Sequence, residues 1–305
     1  MKRIYITGIA GLLGSNAAYE LSKNYVIYGG DITTVNMPGV ETQVYDMLDY
    51  DKLHNNILNN KPDIVIHTAA AVNVDGCEEQ PEIAKKMNSD LTRNIAGICS
   101  ENNIKMIYIS TDAVFDGTSA GLYNETDIPN PINVYGKTKL DGETYVLSGN
   151  NLILRTNIYG YNLQNKNSFG EWVLHSLKSN KTLEMFDDIK FSPILVNELA
   201  YIIDLAIQKD IKGLFHACGT GAISKYDFGC QLKDIFKIST GFIVSSKSTD
   251  HTFKAKRSPN MAMSNKKIKE TLGISIRTPI ESIIYFKELY DKGYPEKLKK
   301  FRGSN

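Results

Sequence analysis

The chain has 305 residues, of which 42% are hydrophobic and 23% charged, and its formal net charge is +1 at pH 7. This length accommodates one large α/β domain, alone or with a smaller lobe. Its basic residues are spread along the chain, which argues against nucleic acid as a partner because phosphate binding needs a concentrated basic face.

Short apolar runs and segments of helical periodicity alternate through the first half of the chain. Buried strands are predicted at residues 4–7, 25–28, 64–67, 106–109 and 152–154. Helices are predicted at residues 12–21, 51–58, 82–99 and 134–147. This alternation is typical of βαβ units, so we expect the α/β class with a Rossmann-type doubly wound parallel sheet and helices on both faces.

The second half of the chain is less regular. Helices are predicted at residues 169–177, 197–207, 226–236 and 280–289, and strands at residues 183–186 and 213–216. No internal repeat or obvious linker separates the two halves. We therefore expect residues 1–160 to form a dinucleotide-binding Rossmann domain and residues 161–305 a smaller C-terminal α/β substrate-binding lobe that is interleaved with it.

A glycine-rich turn connects the first predicted strand to the first predicted helix. Gly8, Gly11 and Gly14 have the spacing GxxGxxG, with Leu12 and Leu13 at the start of the helix. Glycines allow the tight turn, the approach of the backbone to a pyrophosphate and the close packing of helix on strand. The amides at the helix N-terminus then bind the anion. This strand–turn–helix context predicts a dinucleotide cofactor.

Three further segments are expected around that cofactor. Asp31 ends the second strand, where a carboxylate binds a ribose diol and repels a 2′-phosphate. No arginine sits nearby, which favours NADH over NADPH, although Asp31 also fits a turn aspartate after two glycines. Asp46 and Met47 are expected to lie at the edge of the adenine. Small residues after the third predicted strand would let the cofactor lie close to the sheet, and these are Ala69, Ala70 and Ala71.

Tyr135 and Lys139 lie four positions apart in a predicted helix and so share one face. Because a nearby ammonium favours the phenolate, Lys139 would lower the tyrosine pKa from about 10 toward neutrality, where general acid catalysis is most efficient. The alternative is an ordinary helix with a buried tyrosine and an exposed lysine. Ser110 and Thr111 favour catalysis, because they end the fourth predicted strand at the edge where open α/β sheets bind ligands.

These motifs, in this order, resemble the extended short-chain dehydrogenase/reductases, and within them the dTDP-4-dehydrorhamnose reductase family. The strings that carry the resemblance are Ser-Thr-Asp at 110–112, Val-Phe-Asp-Gly at 114–117, Pro-Ile-Asn-Val-Tyr-Gly-Lys-Thr-Lys-Leu at 131–140 and Leu-Arg-Thr at 154–156. The resemblance implies that Thr111, Tyr135 and Lys139 are catalytic. NADH or NADPH would reduce the 4-keto group of a nucleotide-activated deoxysugar, with Tyr135 as the proton donor and Thr111 orienting the carbonyl.

The resemblance also implies a substrate-binding set, namely Thr111, Ala113, Val114, Phe115, Asn157, Ile158 and Arg257. Two positions depart from the family pattern, because Ala113 replaces a tyrosine and Ile158 replaces a tryptophan. The resemblance therefore implies the reaction type more firmly than it implies dTDP-4-dehydrorhamnose as the substrate. The guanidinium fork of Arg257 suits a diphosphate, and the alternative is a surface arginine in a loop.

Two other functions remain open at this point. The β regulatory subunit of methionine adenosyltransferase is similar to the same family and binds the cofactor while serving a partner. An epimerase or dehydratase on the same scaffold would act on a sugar nucleotide without net consumption of cofactor. The leading interpretation implies a nucleotide-sugar partner and a role in dTDP-rhamnose and polysaccharide biosynthesis, and we also consider a homodimer.

The four cysteines are Cys77, Cys99, Cys218 and Cys230, and they form no CxxC pair. We therefore expect no metal site and reduced thiols. No run of about 18 uninterrupted apolar residues occurs, so no membrane span is expected. Together these features favour a cytoplasmic protein.

Overall fold

The structure is a computed structural model and describes residues 1–303. Its strands are β1 (Arg3–Thr7), β2 (Val26–Asp31), β3 (Val40–Val44), β4 (Ile64–His67), β5 (Lys105–Thr111), β6 (Leu152–Thr156), β7 (Ile158–Tyr159), β8 (Thr182–Phe186), β9 (Lys190–Phe191), β10 (Ile194–Leu195), β11 (Gly213–His216), β12 (Ile223–Ser224) and β13 (Phe242–Ser246). Its α-helices are α1 (Leu12–Leu21), α2 (Tyr50–Asn59), α3 (Val74–Glu79), α4 (Pro81–Lys85), α5 (Leu91–Glu101), α6 (Val134–Val146), α7 (Phe169–Lys178), α8 (Val196–Gln208), α9 (Lys225–Ile235), α10 (Lys266–Leu272), α11 (Pro279–Asp291) and α12 (Tyr294–Lys299).

Seven parallel strands form the central sheet in the order β11-β6-β5-β4-β1-β2-β3. The order reverses between β1 and β4, whose registers include Ile4↔Ile64 and Thr7↔His67. A ligand crevice is expected where such a reversal separates the two crossovers, at the carboxyl ends of the strands. Strands β1, β4 and β5 are almost entirely buried, as strands covered on both faces must be. The predicted α/β class with a Rossmann-type doubly wound sheet is confirmed.

Strand β11 comes from the second half of the chain but lies in the central sheet, where Phe215 is in register with Leu154 of β6. Helix α8 likewise packs against α1. The polypeptide therefore returns to the first layer after residue 160. Three small two-stranded pairings, β8 with β13, β9 with β12 and β7 with β10, lie outside the central sheet.

The structure contains several elements that the sequence did not predict, including two differences in the first half of the chain. Strand β3 is not among the predicted strands because three polar residues, Glu-Thr-Gln, occupy its centre, as is common in a half-exposed edge strand. The predicted helix 82–99 is interrupted by a π-helical segment at Lys86–Asp90. In that segment the Asn88 amide bonds both the N–H and the carbonyl of Ala71, at 2.8 and 3.1 Å. The π-turn thus fastens this helix to the loop after β4.

Among residues 1–303, no helix is both long enough and apolar enough to cross a membrane.

Candidate active site

A cleft of about 1060 Å³ runs along the carboxyl ends of the central strands. Most of the predicted site residues line it, although they come from eight separate segments of the chain. These residues are Gly8, Gly11, Leu12, Leu13, Asp31, Asp46, Met47, Ala69, Ala70, Thr111, Ala113, Tyr135, Lys139, Asn157, Ile158 and Arg257. The predicted cofactor, catalytic and substrate groups therefore share one cavity.

The glycine turn is built for the close approach of a ligand to the backbone. Gly8 has φ +72°, and a Cβ there would lie 2.8 Å from the Ala69 backbone nitrogen. Helix α1 begins after Gly11 with no side-chain cap, so no side chain competes for its first amides. A Cβ on Gly14 would overlap the Gly8 carbonyl oxygen. The turn therefore fits the pyrophosphate of a dinucleotide, and Gly14 packs beneath it without lining the cleft.

Asp31 holds the glycine turn as well as facing the cleft. Its carboxylate accepts hydrogen bonds from the Ala10 amide at 2.9 Å and the Thr33 amide at 3.2 Å. Partial burial raises the pKa of this carboxyl group, and the three backbone amides around it oppose that shift. The Tyr45 amide bonds the Asp31 carbonyl at 2.9 Å, which brings Asp46 to the same end of the cleft.

Helix α6 carries Tyr135 and Lys139 directly against the turn that follows β5. The helix is capped by Asn133, whose Oδ1 accepts the Gly136 amide at 2.8 Å. A Cβ on Gly136 would overlap the Ala113 carbonyl oxygen, so only glycine lets helix and turn touch here. The turn that carries Thr111 thereby lies beside Tyr135, and both residues line the cleft.

The protonation of the Tyr–Lys pair differs from the sequence prediction. Burial raises the pKa of Tyr135, and the nearby Thr111 hydroxyl opposes this rise only in part. The predicted lowering of this pKa toward neutrality is therefore wrong, because the burial of the phenol outweighs the effects that lower its pKa. The Lys139 Nζ lies 4.2 Å from the Tyr108 ring centroid. Burial lowers the pKa of Lys139 to about 7, and Glu143, one helical turn further along, opposes this shift.

Glu143 belongs to a buried network that the sequence did not reveal. Arg155 donates from Nε and Nη2 to its two carboxylate oxygens, at 2.9 and 2.7 Å, and Ser110 Oγ donates to Oε1 at 2.5 Å. Both charged side chains are at most 3% exposed. The network joins β5, α6 and β6, and its member Ser110 directly precedes Thr111 in the sequence. Ser110 and Arg155 lie in the strings that carry the family resemblance, whereas Glu143 is marked only by its i, i+4 spacing from Lys139.

Four predicted site residues do not line the cleft. Gly14 packs against the Gly8 carbonyl, and Ala71 is hydrogen-bonded to Asn88 in the loop after β4. Val114 and Phe115, predicted to bind substrate, are fully buried. The 3₁₀ turn at Asp112–Val114 carries the chain inward, and the Phe115 ring stacks on Tyr123 with centroids 4.1 Å apart. This corrects their predicted role, because these side chains pack behind the wall of the cleft.

The comparison with known proteins is consistent with this geometry. The model of the RmlD substrate binding domain matches residues 1–286. The chain belongs to the RmlD substrate binding domain family. The resemblance inferred from the motifs is thereby confirmed.

Relatives in this family have different names. Methionine adenosyltransferase 2 subunit beta of Pongo abelii is 33% identical over 299 residues, covering 91% of this chain and 84% of the relative. A probable low-salt glycan biosynthesis reductase of Haloferax volcanii is 30% identical over 277 residues, covering 89% and 92%. The solved structure of dTDP-4-dehydrorhamnose reductase from Bacillus anthracis in complex with NADP is 26% identical, with a TM-score of 0.85, and covers 94% of this chain and 99% of that chain.

In this RmlD-family chain, the second half contributes cleft residues that sequence reasoning missed. They are Asn162, Gln164, Lys166, Asn167, Ser168, Phe169, Met185, Phe186, Ile189, Lys225, Ser258 and Met261. Asp112, the last residue of the Ser-Thr-Asp string, was given no place among the site residues, but it lines the cleft and its carboxylate accepts a hydrogen bond from Asn157 Nδ2 at 2.5 Å. Burial raises the pKa of Asp112 to about 6. No local motif marks the cleft residues of the second half, since only the fold brings them together.

Proposed function

We propose that this protein is an NAD(P)H-dependent reductase that converts the 4-keto group of a nucleotide-activated deoxysugar to a hydroxyl group. The observation that carries the proposal is the convergence of Thr111, Tyr135 and Lys139 with the glycine turn around a single cleft. The family membership and the NADP complex of the Bacillus anthracis reductase support the same reaction.

Tyr135 acts in this scheme as the proton donor. When bound, the reduced nicotinamide supplies the hydride that adds to the C4 carbon. Tyr135 transfers its phenolic proton to the C4 oxygen, so that carbonyl, hydride and proton together give the alcohol. The phenol carries its proton at neutral pH and can donate it, although its raised pKa makes it a weaker acid than a free tyrosine.

Thr111 and Lys139 assist that proton transfer. When substrate binds, the Thr111 hydroxyl would turn its single proton from Asp112 to the substrate carbonyl and fix the direction of that carbonyl beside Tyr135. The Lys139 ammonium stabilises the phenolate that remains after transfer. Glu143 favours the charged form of Lys139.

The glycine turn would hold the cofactor pyrophosphate, with Leu12 and Leu13 at the helix N-terminus, and the small side chains of Ala69 and Ala70 would let the cofactor lie close to the sheet. We further propose a preference for NADH. Asp31 and Asp46 line the same end of the cleft, and their carboxylates would repel the 2′-phosphate of NADPH.

The test is to mix the protein with NADH or NADPH and a panel of 4-keto-6-deoxy sugar nucleotides. Loss of the reduced-nicotinamide absorbance would show turnover, and Tyr135→Phe is the matched control. An epimerase or dehydratase would show no net loss, because it regenerates its cofactor. A protein that binds cofactor but consumes none with any member of the panel would contradict the proposal.

A regulatory role is the second candidate, favoured by the 33% identity to methionine adenosyltransferase 2 subunit beta. Its test is to mix the protein with the methionine adenosyltransferase of the same cell and measure complex formation by size-exclusion chromatography. A stoichiometric complex whose synthetase activity changes would favour this role.

The predicted homodimer and cytoplasmic location stay predictions.

A further inference from the structure

Lys225 is a charged side chain in the cleft to which the proposed reaction assigns no task. It is the first residue of α9, and its partly exposed side chain lines the cleft. The Nζ atom lies 3.3 Å from the Phe191 ring centroid and 4.3 Å from that of Phe169. The two aromatic rings therefore hold the ammonium in place at the substrate side.

This position is unfavourable for a cation without a ligand. Within residues 1–303, no carboxylate lies within 4.0 Å of the Lys225 Nζ. The first turn of a helix is the positive end of its dipole, where a cation is disfavoured. Desolvation lowers the pKa of Lys225 to about 8. Cation–π contacts offset only part of this cost, so an oxygen ligand is expected for the ammonium.

The location of Lys225 relates it to the reacting carbonyl. Asp112 attracts the Lys225 ammonium, although the two groups are not in contact. Asp112 in turn accepts a hydrogen bond from Thr111 Oγ1 at 3.1 Å. Lys225 and Asp112 thus stand together beside the hydroxyl group that is proposed to orient the substrate.

We propose that Lys225 is a substrate-recognition residue whose ammonium donates a hydrogen bond to an oxygen substituent of the keto sugar, while Asp112 accepts one from a neighbouring hydroxyl. The nature of the ligand as a sugar rests on the proposed function. A diphosphate is disfavoured here because the Asp112 carboxylate would repel it. Arg257 suits the diphosphate better, since its Nη1 is buried without a partner while Nη2 bonds Asp75 at 2.6 Å.

Lys225→Met keeps the apolar stem between the aromatic rings and removes the charge. Lys233→Met, on the same helix outside the cleft, is the matched control. Binding can be followed through the single tryptophan, Trp172, which stacks on the cleft residue Phe169 with centroids 6.1 Å apart. The probes are dTDP-glucose and UDP-glucose, the bare nucleotides dTDP and UDP, and NADH.

We expect Lys225→Met to raise the Kd of the sugar nucleotide that the wild type binds by about 10- to 100-fold, the range for a hydrogen bond to a charged group. Affinities for the bare nucleotide and NADH should stay within about twofold of wild type, and the control should match wild type throughout. In the reductase assay, KM for the keto sugar should rise more than kcat falls.

Three results would overturn the assignment. An unchanged Kd for sugar nucleotides removes the recognition role. An equal loss for bare nucleotide and sugar nucleotide assigns Lys225 to the diphosphate. If the wild type binds no sugar nucleotide, sugar nucleotides are excluded as the ligand of Lys225. Sugar-nucleotide binding without any turnover contradicts the proposed reductase alone, because the Kd comparison still decides the role of Lys225.

Discussion

Around Gly8 the wall of the cleft is backbone and small side chains, whereas around Lys225 it consists of long side chains from distant segments. The region around Gly8 depends on the absence of side chains, because a Cβ on Gly8 or Gly14 would meet backbone atoms. The region around Lys225 depends on particular side-chain contacts, such as the Asp112–Asn157 hydrogen bond and the aromatic rings beside Lys225. We infer that the cofactor side tolerates little substitution, while the substrate side can change its specificity by single side-chain replacements.

The two regions meet at Tyr135, where the largest effect is expected. Tyr135→Phe removes the proposed proton donor, and kcat should fall by about 100- to 10,000-fold, the usual contribution of general acid catalysis. The Kd values for NADH and the sugar nucleotide should change little, because the ring still fills its place. Tyr145→Phe, on the exposed side of the same helix, should keep full activity. If Tyr135→Phe retained the wild-type kcat, another group would have to be the proton donor.

Lys139, which lies beside Tyr135 where the cofactor and substrate sides of the cleft meet, gives a test that depends on pH. Its pKa is lowered to about 7 in the folded protein from 10.5, so between these pH values the unfolded chain binds a proton that the folded protein does not. The free energy of unfolding therefore contains a penalty below pH 7 that is relieved as pH rises toward 10.5.

We expect Lys139→Met to raise the free energy of unfolding by about 2–4 kcal/mol at pH 6, with the advantage disappearing near pH 10.5. Urea denaturation at several pH values measures it, and the exposed Lys137→Met is the control. An advantage independent of pH would mean that better packing of methionine, and not loss of a buried charge, is responsible.

Gly14→Ala tests the dependence of the cofactor side on missing Cβ atoms. Its added methyl group would overlap the Gly8 carbonyl, and the free energy of unfolding should fall by about 1–3 kcal/mol, as in other overpacked sites. Cofactor affinity should fall as well. Gly97→Ala in α5 meets no atom within 4 Å and should instead stabilise the protein by about 0.5–1 kcal/mol. Equal effects of Gly14→Ala and Gly97→Ala on the free energy of unfolding would show that the cofactor side does not depend on the absence of a Cβ at Gly14.

The smallest expected effect concerns cofactor preference. Asp31→Asn removes the charge that would repel a 2′-phosphate, and we expect the ratio of the NADPH and NADH Kd values to fall by about tenfold, or roughly 1.4 kcal/mol. Fluorescence titration of both cofactors measures the ratio. A parallel loss for NADH and NADPH would assign Asp31 to support of the Ala10 turn and not to discrimination.

The Rossmann sheet was predictable because strand and helix periodicities are local in sequence. Strand β3 escaped assignment because its edge position permits polar residues, which hide the apolar signal. The π-turn at Lys86–Asp90 was also missed, since it depends on the bonds of Asn88 to a loop 17 residues earlier. Local patterns therefore predict which elements exist more reliably than where they are interrupted.

The sequence by itself determined the glycine turn after β1, the spacing that puts Tyr135 and Lys139 on one helical face, and the position of Thr111 at a strand end. Each of these follows from backbone geometry over a few residues. The tertiary structure alone decided that Phe115 is buried, that the pKa of Tyr135 is raised, and that Lys225 enters the cleft. Burial and electrostatic environment are set by segments distant in sequence, and no local pattern carries that information.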